Sequence, residues 1–382
     1  MSPFETLLST LRQVLGTTSE RSVPCEDTEA LLRLADAHDL SHLVGHVLGS
    51  QGALGDDVFS KELRDKARRS VLRHHLFDRE LQKICHVFDK ENIPYVPLKG
   101  AVLRQLYPEP WMRTSCDLDI LVQESHLDTA VDALCTHCAF THGVKSHHDV
   151  TMHSPNGISV ELHFTLETEC GLQEQTILQN VWDYTNPGET PGSCCHLSDE
   201  FFYFYHIAHI AKHLRHGGCG IRFFLDLWLL NHRISFDPQK RIALLEQGGL
   251  LQLANALENL SESWFSGKEM DALSVNLEHY ILSGGNFGSF QNSVAAEQNR
   301  QGGKFRFLCR KVFPPYTQMV YYYPALRKYP WLLPVYTLRR WCRLLFTKDA
   351  HRAMQTIKTN ASMSEEALTS VAYLMHELGL SR

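Results

Sequence analysis

The chain has 382 residues, of which 43% are hydrophobic and 21% are charged, and its formal net charge is −6. These values are those of an ordinary globular protein, so they exclude an intrinsically disordered or collagen-like chain. The acidic balance also excludes a chain that binds nucleic acid along its whole length. The length predicts two or three domains. Histidine is abundant, at 22 residues, which raises the question of metal binding.

No targeting or membrane segment is evident in the sequence. The start, Met1 to Glu5, lacks the basic and apolar regions of a signal peptide. No stretch reaches the roughly 18 uninterrupted apolar residues of a membrane span. The 11 cysteines are odd in number and irregularly spaced, which favours a reducing compartment. The sequence therefore predicts a cytoplasmic protein without a transmembrane segment.

Residues 1–90 carry apolar side chains at helical spacing and predict an N-terminal helical subdomain. The pattern changes in residues 91–195, where short apolar or alternating runs predict strands at 93–98, 117–122, 149–153 and 158–166. A helix is predicted over 124–138, and Ser154-Pro155-Asn156-Gly157 is a hairpin turn signal between the last two strands. The order of these elements predicts an α+β core built on a small mixed sheet.

From residue 196 onward the chain is predicted to be helical again. Helices over 198–216 and 221–232 belong to a helical subdomain at 196–295, which would close a cleft against the sheet. Residues 296–382 form a basic, aromatic-rich helical C-terminal region. The predicted architecture is therefore a mixed-sheet core flanked by helical subdomains on both sides in sequence.

Two carboxylates lie close together in the predicted strand at 117–122. Because side chains alternate along a strand, Asp117 and Asp119 share one face, while Leu118 and Ile120 share the other. Carboxylates about 7 Å apart on one face repel each other unless a cation compensates them. Mg²⁺, which binds a few carboxylate oxygens together with water and phosphate, would do so. A solvent-facing pair of acids is the alternative.

A third carboxylate lies on the polar face of the strand at 158–166. If the hairpin pairs beside the Asp117 strand, Glu161 joins the same face as Asp117 and Asp119. Three carboxylates suit a two-metal phosphoryl-transfer site. His163 shares the face of Glu161 and could orient a carboxylate or act on an acceptor, with a structural histidine as the alternative.

Cationic residues precede the acidic strand. Lys99 and Gly100 lie at a strand-to-helix junction, where a glycine lets backbone N–H groups approach a phosphate and the lysine adds charge. Arg113 could pair with phosphate or with the acidic cluster. Solvated surface cations are the alternative for both Lys99 and Arg113.

These residues resemble a nucleotidyltransferase family of bacterial proteins within the DNA polymerase β-like superfamily. The resemblance rests on the segments Leu98-Lys99-Gly100, Tyr107-Pro108, Arg113, Asp117 to Val122 and Val160 to His163. It implies a minimal nucleotidyltransferase sheet, an Asp-x-Asp pair that binds two Mg²⁺ ions, and a third acid that helps to activate the acceptor. These roles fall on Asp117, Asp119 and Glu161. The Lys99-Gly100 pair departs from the Gly-Ser or Gly-Gly usual in the wider superfamily.

The resemblance extends more weakly to the helical subdomain, through Lys212, His213, Arg222 and Asp226. We expect Lys212, His213 and Arg222 to face the triphosphate or the base, with Asp226 orienting Arg222 or Lys212. A buried set of salt bridges between the helices is the alternative. His209 and His213, at i and i+4, could also bind zinc, but no third ligand is evident.

Two further clusters remain. Cys135-Thr136-His137-Cys138 resembles half of a zinc site but lacks a second pair of ligands at suitable spacing, so its cysteines are predicted to pack in the core. From Arg300 to Lys358 the only acid is Asp349, and aromatic residues alternate with basic ones. Such a surface could bind RNA or an anionic membrane, but the favoured interpretation is a helical region whose arginine stems cover the acidic core.

The sequence thus predicts a Mg²⁺-dependent enzyme that transfers a nucleoside monophosphate from an NTP to an unidentified acceptor and releases pyrophosphate. One alternative is a non-catalytic module that binds nucleotide or RNA, although three clustered carboxylates would serve no purpose there. Another is a toxin-like nucleotidyltransferase that acts on RNA or protein. Nucleic acid as a partner is possible but not favoured, and the sequence does not reveal the oligomeric state.

Overall fold

The structure is a computed structural model that describes residues 1–22, 25–166, 170–188, 192–286, 288–346 and 349–381. Most of the described chain is helical. The helices are α1 (Pro3–Leu15), α2 (Thr28–Ala37), α3 (Ser41–Ser50), α4 (Val58–Lys90), α5 (Lys99–Leu103), α6 (Leu127–Cys138), α7 (Leu172–Leu178), α8 (Asp199–Arg215), α9 (Ile221–Arg233), α10 (Pro238–Gln247), α11 (Leu251–Ser266), α12 (Ala272–Leu282), α13 (Phe290–Gln301), α14 (Lys304–Val312), α15 (Tyr316–Tyr322), α16 (Leu333–Phe346), α17 (Asp349–Ser362) and α18 (Glu365–Glu377). None of the described helices is both long enough and apolar enough to cross a membrane.

A five-stranded mixed sheet lies within this helical structure. Its strands are β1 (Tyr95–Pro97), β2 (Asp117–Val122), β3 (Thr141–Lys145), β4 (Asp149–His153) and β5 (Ser159–His163). Two further strands, β6 (Thr185–Pro187) and β7 (Cys195–Leu197), lie outside it. The order in the main sheet is β1-β2-β5-β4-β3, and β6 pairs with β7 separately. Within the described part of this five-stranded sheet, only the β2–β5 pair is parallel. The α+β prediction is therefore confirmed.

The turn between β4 and β5 sets the pairing of these two strands. Ser154 accepts a hydrogen bond on its Oγ from the Ile158 N–H at 3.0 Å, and the Gly157 N–H donates to the Ser154 carbonyl, also at 3.0 Å. Gly157 has a φ of +75°, which a glycine adopts without steric cost. The turn places Thr151 opposite Glu161, so β5 enters the sheet in the predicted alternation.

β3 is a strand that the hydrophobic pattern did not predict. It pairs only with β4 at the edge of the sheet, and its residues are mostly exposed. Val144, its one large apolar residue, has 75% of its surface exposed. Because the strand buries little apolar surface, its sequence carries no alternation from which it could be recognised.

The two faces of β2 meet different surroundings. Leu118, Ile120 and Val122 are buried in a core that the sheet forms with α4 and α6. On the opposite face, Leu121 packs into a larger helical core, to which α1–α3, α8, α9, α11 and α18 contribute. Asp117 and Asp119 share that second face. Helices that precede the sheet in the chain and helices that follow it thus share one core. The domain boundaries at residues 90, 195 and 295 remain a prediction.

Candidate functional site

Three carboxylates meet at the parallel pair of strands. In the register of β2 and β5, Asp119 lies directly opposite Glu161, and Leu121 lies opposite His163. Directly opposed residues point to the same face of a sheet, so Glu161 joins Asp117 and Asp119. The condition stated from the sequence, that the hairpin pairs beside the Asp117 strand, is met.

His163 connects two of these carboxylates. Its Nε2 lies 2.9 Å from Oδ1 of Asp119 and 3.5 Å from Oε2 of Glu161. Burial opposes a charge on this histidine, but the two carboxylates outweigh burial and raise the pKa of His163 to about 9. Among the described residues, Asp119, Glu161 and His163 form the one group of three potential metal ligands, with ligand atoms within 4.8 Å of one another.

Asp117 and Asp119 differ in their electrostatic surroundings. Burial and the negative charges of Asp119 and Glu161 raise the pKa of Asp117 to about 6. Burial also acts on Asp119, but the charges of Lys99 and His163 hold the pKa of that carboxyl well below its usual range. Lys99 and His163 offset the negative charge at Asp117 only in part, and a bound cation would neutralise the remainder.

The raised pKa of Asp117 predicts how the stability of the protein depends on pH. The pKa rises from 3.8 to about 6 on folding, so ionised Asp117 costs stability that is absent below about pH 4 and complete above about pH 6. A shift of two pKa units corresponds to about 3 kcal/mol, and solvent at the cleft reduces this to about 1–2 kcal/mol. We expect Asp117→Asn to raise the free energy of unfolding by that amount at pH 7.5 without divalent cations, and not to change it at pH 4.

Urea unfolding in EDTA at pH 4, 5, 6 and 7.5 measures this effect. Asp128→Asn, a change of an exposed acid on α6, serves as the control and is expected to change the free energy of unfolding by less than about 0.5 kcal/mol. Equal stability of the wild type and Asp117→Asn at pH 7.5 would contradict the electrostatic account of the site.

Lys99 and Gly100 lie where β1 gives way to α5. Lys99 has a φ of +33°, an unusual conformation for a residue with a side chain, and its Nζ lies 5.5 Å from the centre of the Tyr205 ring. A Cβ on Gly100 would lie 2.3 Å from Oγ of Ser115. The glycine is thus required by the close approach of the loop that precedes β2, a role that the sequence argument did not include.

Three arginines hold that loop, residues 113–116, in place. Arg104 and Arg113 both donate to Oγ of Ser115, at 3.2 and 3.0 Å. Arg73 on α4 donates to the carbonyl oxygens of Ser115 and Cys116, at 3.2 and 3.0 Å. Burial, together with the charge of Arg113, lowers the pKa of Arg104 to about 10. The start of β2, and with it Asp117, is therefore anchored by multiple charge-assisted hydrogen bonds.

Arg113 is engaged in a buried ion pair with Asp226. Its Nε and Nη2 donate to the two oxygens of Asp226 at 3.1 and 3.0 Å, and the Tyr107 hydroxyl donates to the same carboxylate at 2.8 Å. Burial disfavours both charges, but each partner compensates the other, so the pKa of Arg113 is raised and that of Asp226 is lowered. Asp226 thus orients Arg113, and not Arg222 or Lys212 as expected, because α9 packs beside Tyr107.

Arg222 is held by a residue that the sequence did not single out. It forms an ion pair with Asp39, and its Nη1 also donates to the Thr114 carbonyl at 3.3 Å. Asp39 lies in the turn between α2 and α3 with a φ of +58°, and it accepts a hydrogen bond from Oγ1 of Thr114 at 2.8 Å. The turn between α2 and α3 therefore positions Arg222, which lines the cavity of the site.

A cavity of about 180 Å³ opens above the carboxylates. Its lining combines the acidic strands, the cations and the histidine-bearing face of α8, and comprises Lys99, Gly100, Leu103, Arg113, Ser115, Cys116, Asp117, Asp119, Glu161, His206, His209, His213, Arg222 and Phe223. Eight of the ten predicted site residues thus meet at one place. Lys212 and Asp226 are not part of the lining, and a larger cavity of about 670 Å³ near Glu174 and Arg215 contains none of the ten.

The histidines of α8 surround Phe223. The rings of His206, His209 and His213 lie with their centres 6.3, 5.6 and 5.0 Å from that of Phe223. Burial lowers the pKa of His206 to about 4, and its Nε2 lies 3.3 Å from the Phe223 carbonyl oxygen. Burial is the largest cause of the lowered pKa of His148, and the positive charge of Lys212, on the same helix as these three histidines, lowers that pKa further.

The sequence offered two candidate zinc sites, the His209–His213 pair and the Cys135–Cys138 pair, and the described part of the chain places each of them. Nε2 of His209 and Nε2 of His213 lie 3.2 Å apart, so the two rings do face one way, but they belong to no group of three potential ligands. Cys135 and Cys138 are free and pack against the core between the sheet and α6. Both cysteines are half-buried at the edge of this core, which is close to the packing role expected from the sequence.

A mixed sheet that presents paired carboxylates to a cavity is the arrangement that the resemblance to nucleotidyltransferases implied. A family model described as an uncharacterised nucleotidyltransferase matches residues 24–266, which is more than half of the chain and includes all ten predicted site residues. The protein belongs to this family, and the resemblance is confirmed. A search of the curated proteins and a search of the solved structures found no match.

Proposed function

We propose that this protein is a Mg²⁺-dependent nucleotidyltransferase that transfers a nucleoside monophosphate from an NTP to a hydroxyl, amine or phosphate of an acceptor. The observation that carries the proposal is the register of β2 and β5, which brings Glu161 opposite Asp119 on the face that also holds Asp117. Lys99 and Arg222 on the same cavity wall supply positive charge for the triphosphate.

The donor set fits Mg²⁺. Carboxylate oxygens are the ligands that this ion prefers in proteins. The pKa of Asp117 is raised by burial and by the charges of Asp119 and Glu161, which Lys99 and His163 offset only in part. We assign Asp117 and Asp119 to two Mg²⁺ ions, with Glu161 as a third ligand. Bound Mg²⁺ would neutralise the triphosphate and favour ionisation of the acceptor group.

The protein's own groups would do the following. Glu161 accepts the proton of the acceptor group, whose oxygen or nitrogen then attacks the α-phosphorus of the NTP. A new bond to phosphorus forms, the bond from the α-phosphorus to the bridging oxygen breaks, and pyrophosphate leaves. Lys99 binds the leaving phosphates, and His163 keeps Asp119 and Glu161 in position through its Nε2.

Incubation with NTPs labelled at the α-phosphate or at the γ-phosphate tests this proposal. Each of the four NTPs is combined with Mg²⁺ and a cell extract as the source of acceptor. We expect the α-label in a larger product and the γ-label only in pyrophosphate. Sensitivity of the product to nuclease or protease then identifies the class of acceptor.

Two results would contradict the proposal. Transfer of the γ-label would indicate a phosphotransferase. Binding of NTP to the protein without release of pyrophosphate, with every extract fraction tested, would indicate the non-catalytic module instead.

A further inference from the structure

The chain between Glu297 and Asp349 contains no acidic residue, although the protein as a whole is acidic. We call residues 298–348 the basic segment. Seven cations are exposed among the residues of this segment that the structure describes, namely Arg300, Arg306, Arg310, Arg327, Lys328, Arg339 and Arg343. The segment is therefore a local concentration of positive charge that the net charge of the chain conceals.

One face of helix α16 is apolar and exposed. Trp331, in the turn before the helix, has 73% of its surface exposed, and Val335 and Leu338 have 59% each. With the exposed Cys342, these residues follow one another at spacings of four, three and four, which places them along one side of a helix. We call these four residues the apolar stripe.

The opposite side of α16 attaches the helix to the protein. The Trp341 indole N–H donates to the Val312 carbonyl at 2.8 Å, and Arg340 donates to the Lys311 carbonyl at 3.0 Å. The Tyr336 ring lies 4.8 Å from that of Tyr323. The helix is thus fixed with its apolar stripe directed away from the protein, the reverse of what burial in a core would require.

The basic segment does not chiefly cover the acidic core, which was the favoured expectation. In the described part of the chain, α14, α15 and α16 pack mainly against α13, α17 and one another. Lys311 forms an ion pair with Glu297 at the end of the neighbouring α13, at 2.8 Å. The exposed cations therefore place positive charge at the surface of the protein, where an anionic partner can approach it.

We propose that the apolar stripe and the cations around it bind the surface of an anionic lipid bilayer. Exposed aliphatic and tryptophan side chains enter the boundary between headgroups and acyl chains, while flanking Arg and Lys contact anionic headgroups. Two exposed rings on α14 and just after it, Phe305 at 78% and Phe313 at 60%, lie in the same basic segment. Each cation near the surface strengthens binding by about five-fold.

The aliphatic members of the stripe distinguish lipid from nucleic acid. Single-stranded RNA binds by charge and by stacking of bases on aromatic rings. Val335 and Leu338 offer no ring for stacking, and a sugar–phosphate backbone offers no apolar surface to cover them. A bilayer covers both aliphatic side chains and also accommodates Trp331 at the level of the headgroups. The proposal does not depend on the nucleotidyltransferase function.

Flotation of the full-length protein with lipid vesicles tests the proposal. Vesicles of phosphatidylcholine alone are compared with vesicles that also contain about one-third phosphatidylglycerol, at low and at high salt. We expect binding to the anionic vesicles only, weakened by salt. Val335→Asp with Leu338→Asp is expected to reduce binding at least ten-fold, because two charges would have to enter the apolar layer.

The matched control is Leu72→Asp with Val144→Asp. These residues are 65% and 75% exposed outside the basic segment, and their replacement changes the net charge equally. We expect the control to bind vesicles like the wild type to within about two-fold, and thermal unfolding checks that both double variants fold.

Four outcomes would overturn the proposal. One is equal loss of vesicle binding in both double variants, and a second is no binding of the wild type to anionic vesicles. In a third outcome, the wild type binds a labelled single-stranded RNA but not vesicles, and the Val335→Asp, Leu338→Asp change abolishes the RNA binding. The fourth is a dimer, seen by sedimentation velocity without lipid, that the same change dissociates, since a second copy would then cover the stripe.

Discussion

Replacement of Asp117 and Asp119 together by asparagine is expected to abolish transfer of the α-label from NTP, with a loss of at least about a thousand-fold. Asparagine keeps the size of each side chain but removes the charge that would hold both Mg²⁺ ions. Both residues lie on the cavity wall, and the core face of β2 is formed by other side chains. The fold is therefore expected to survive the change.

The rate of pyrophosphate release and the yield of labelled product measure this effect, and circular dichroism checks the fold. The control is Asp128→Asn with Asp132→Asn, two exposed acids on α6 whose replacement changes the net charge equally. That variant is expected to keep full activity. Full transfer by the Asp117→Asn, Asp119→Asn protein would refute the assignment of the site, even if the protein still belongs to the nucleotidyltransferase family.

The largest expected effect on stability comes from Asp226→Ala. Asp226 is fully buried and pairs with both Arg113 and the Tyr107 hydroxyl. Its removal leaves a guanidinium group without its charged partner in the interior, which costs about 3–5 kcal/mol of the free energy of unfolding. Transfer activity is also expected to fall, because Arg113 donates to Ser115 in the loop that leads into β2.

Urea denaturation measures the loss, and the exposed ion pair of Arg33 with Glu29 provides the comparison. These side chains are 64% and 48% exposed, so Glu29→Ala is expected to cost less than about 1 kcal/mol. The double variant Asp226→Leu with Arg113→Met is expected to be more stable than Asp226→Ala, since it leaves no unpaired charge. A loss below about 1 kcal/mol in Asp226→Ala would show that the buried pair contributes little.

Local patterns in the sequence predicted the elements that carry the carboxylates. The strands at 117–122 and 149–153 have the predicted bounds, because alternation of apolar and polar residues reflects a sheet with two different faces. The turn at Ser154 to Gly157 could also be predicted from the sequence, since Ser, Pro, Asn and Gly themselves favour the backbone conformation of a turn. From these elements alone, the presence of Glu161 beside Asp117 and Asp119 could be stated only as a condition.

The partners of the cations could not be predicted in the same way. Arg113 and Asp226 are 113 residues apart, and Arg222 and Asp39 are 183 residues apart. An arginine at the surface, on a phosphate or in a buried ion pair has the same local sequence, because its partner depends on which helices pack together. Sequence reasoning therefore found Arg113 and Arg222 but assigned Asp226 the wrong partner and did not find Asp39.

The sequence by itself determined the mixed sheet, the shared face of Asp117 and Asp119, and the family, since each of these is expressed in local patterns of apolar, polar and acidic residues. Only the tertiary structure decided that Glu161 lies opposite Asp119, that Arg113 pairs with Asp226 in the interior, and that the apolar stripe of α16 faces outward. These features depend on strand register and helix packing, in which surfaces from distant parts of the chain are buried against one another.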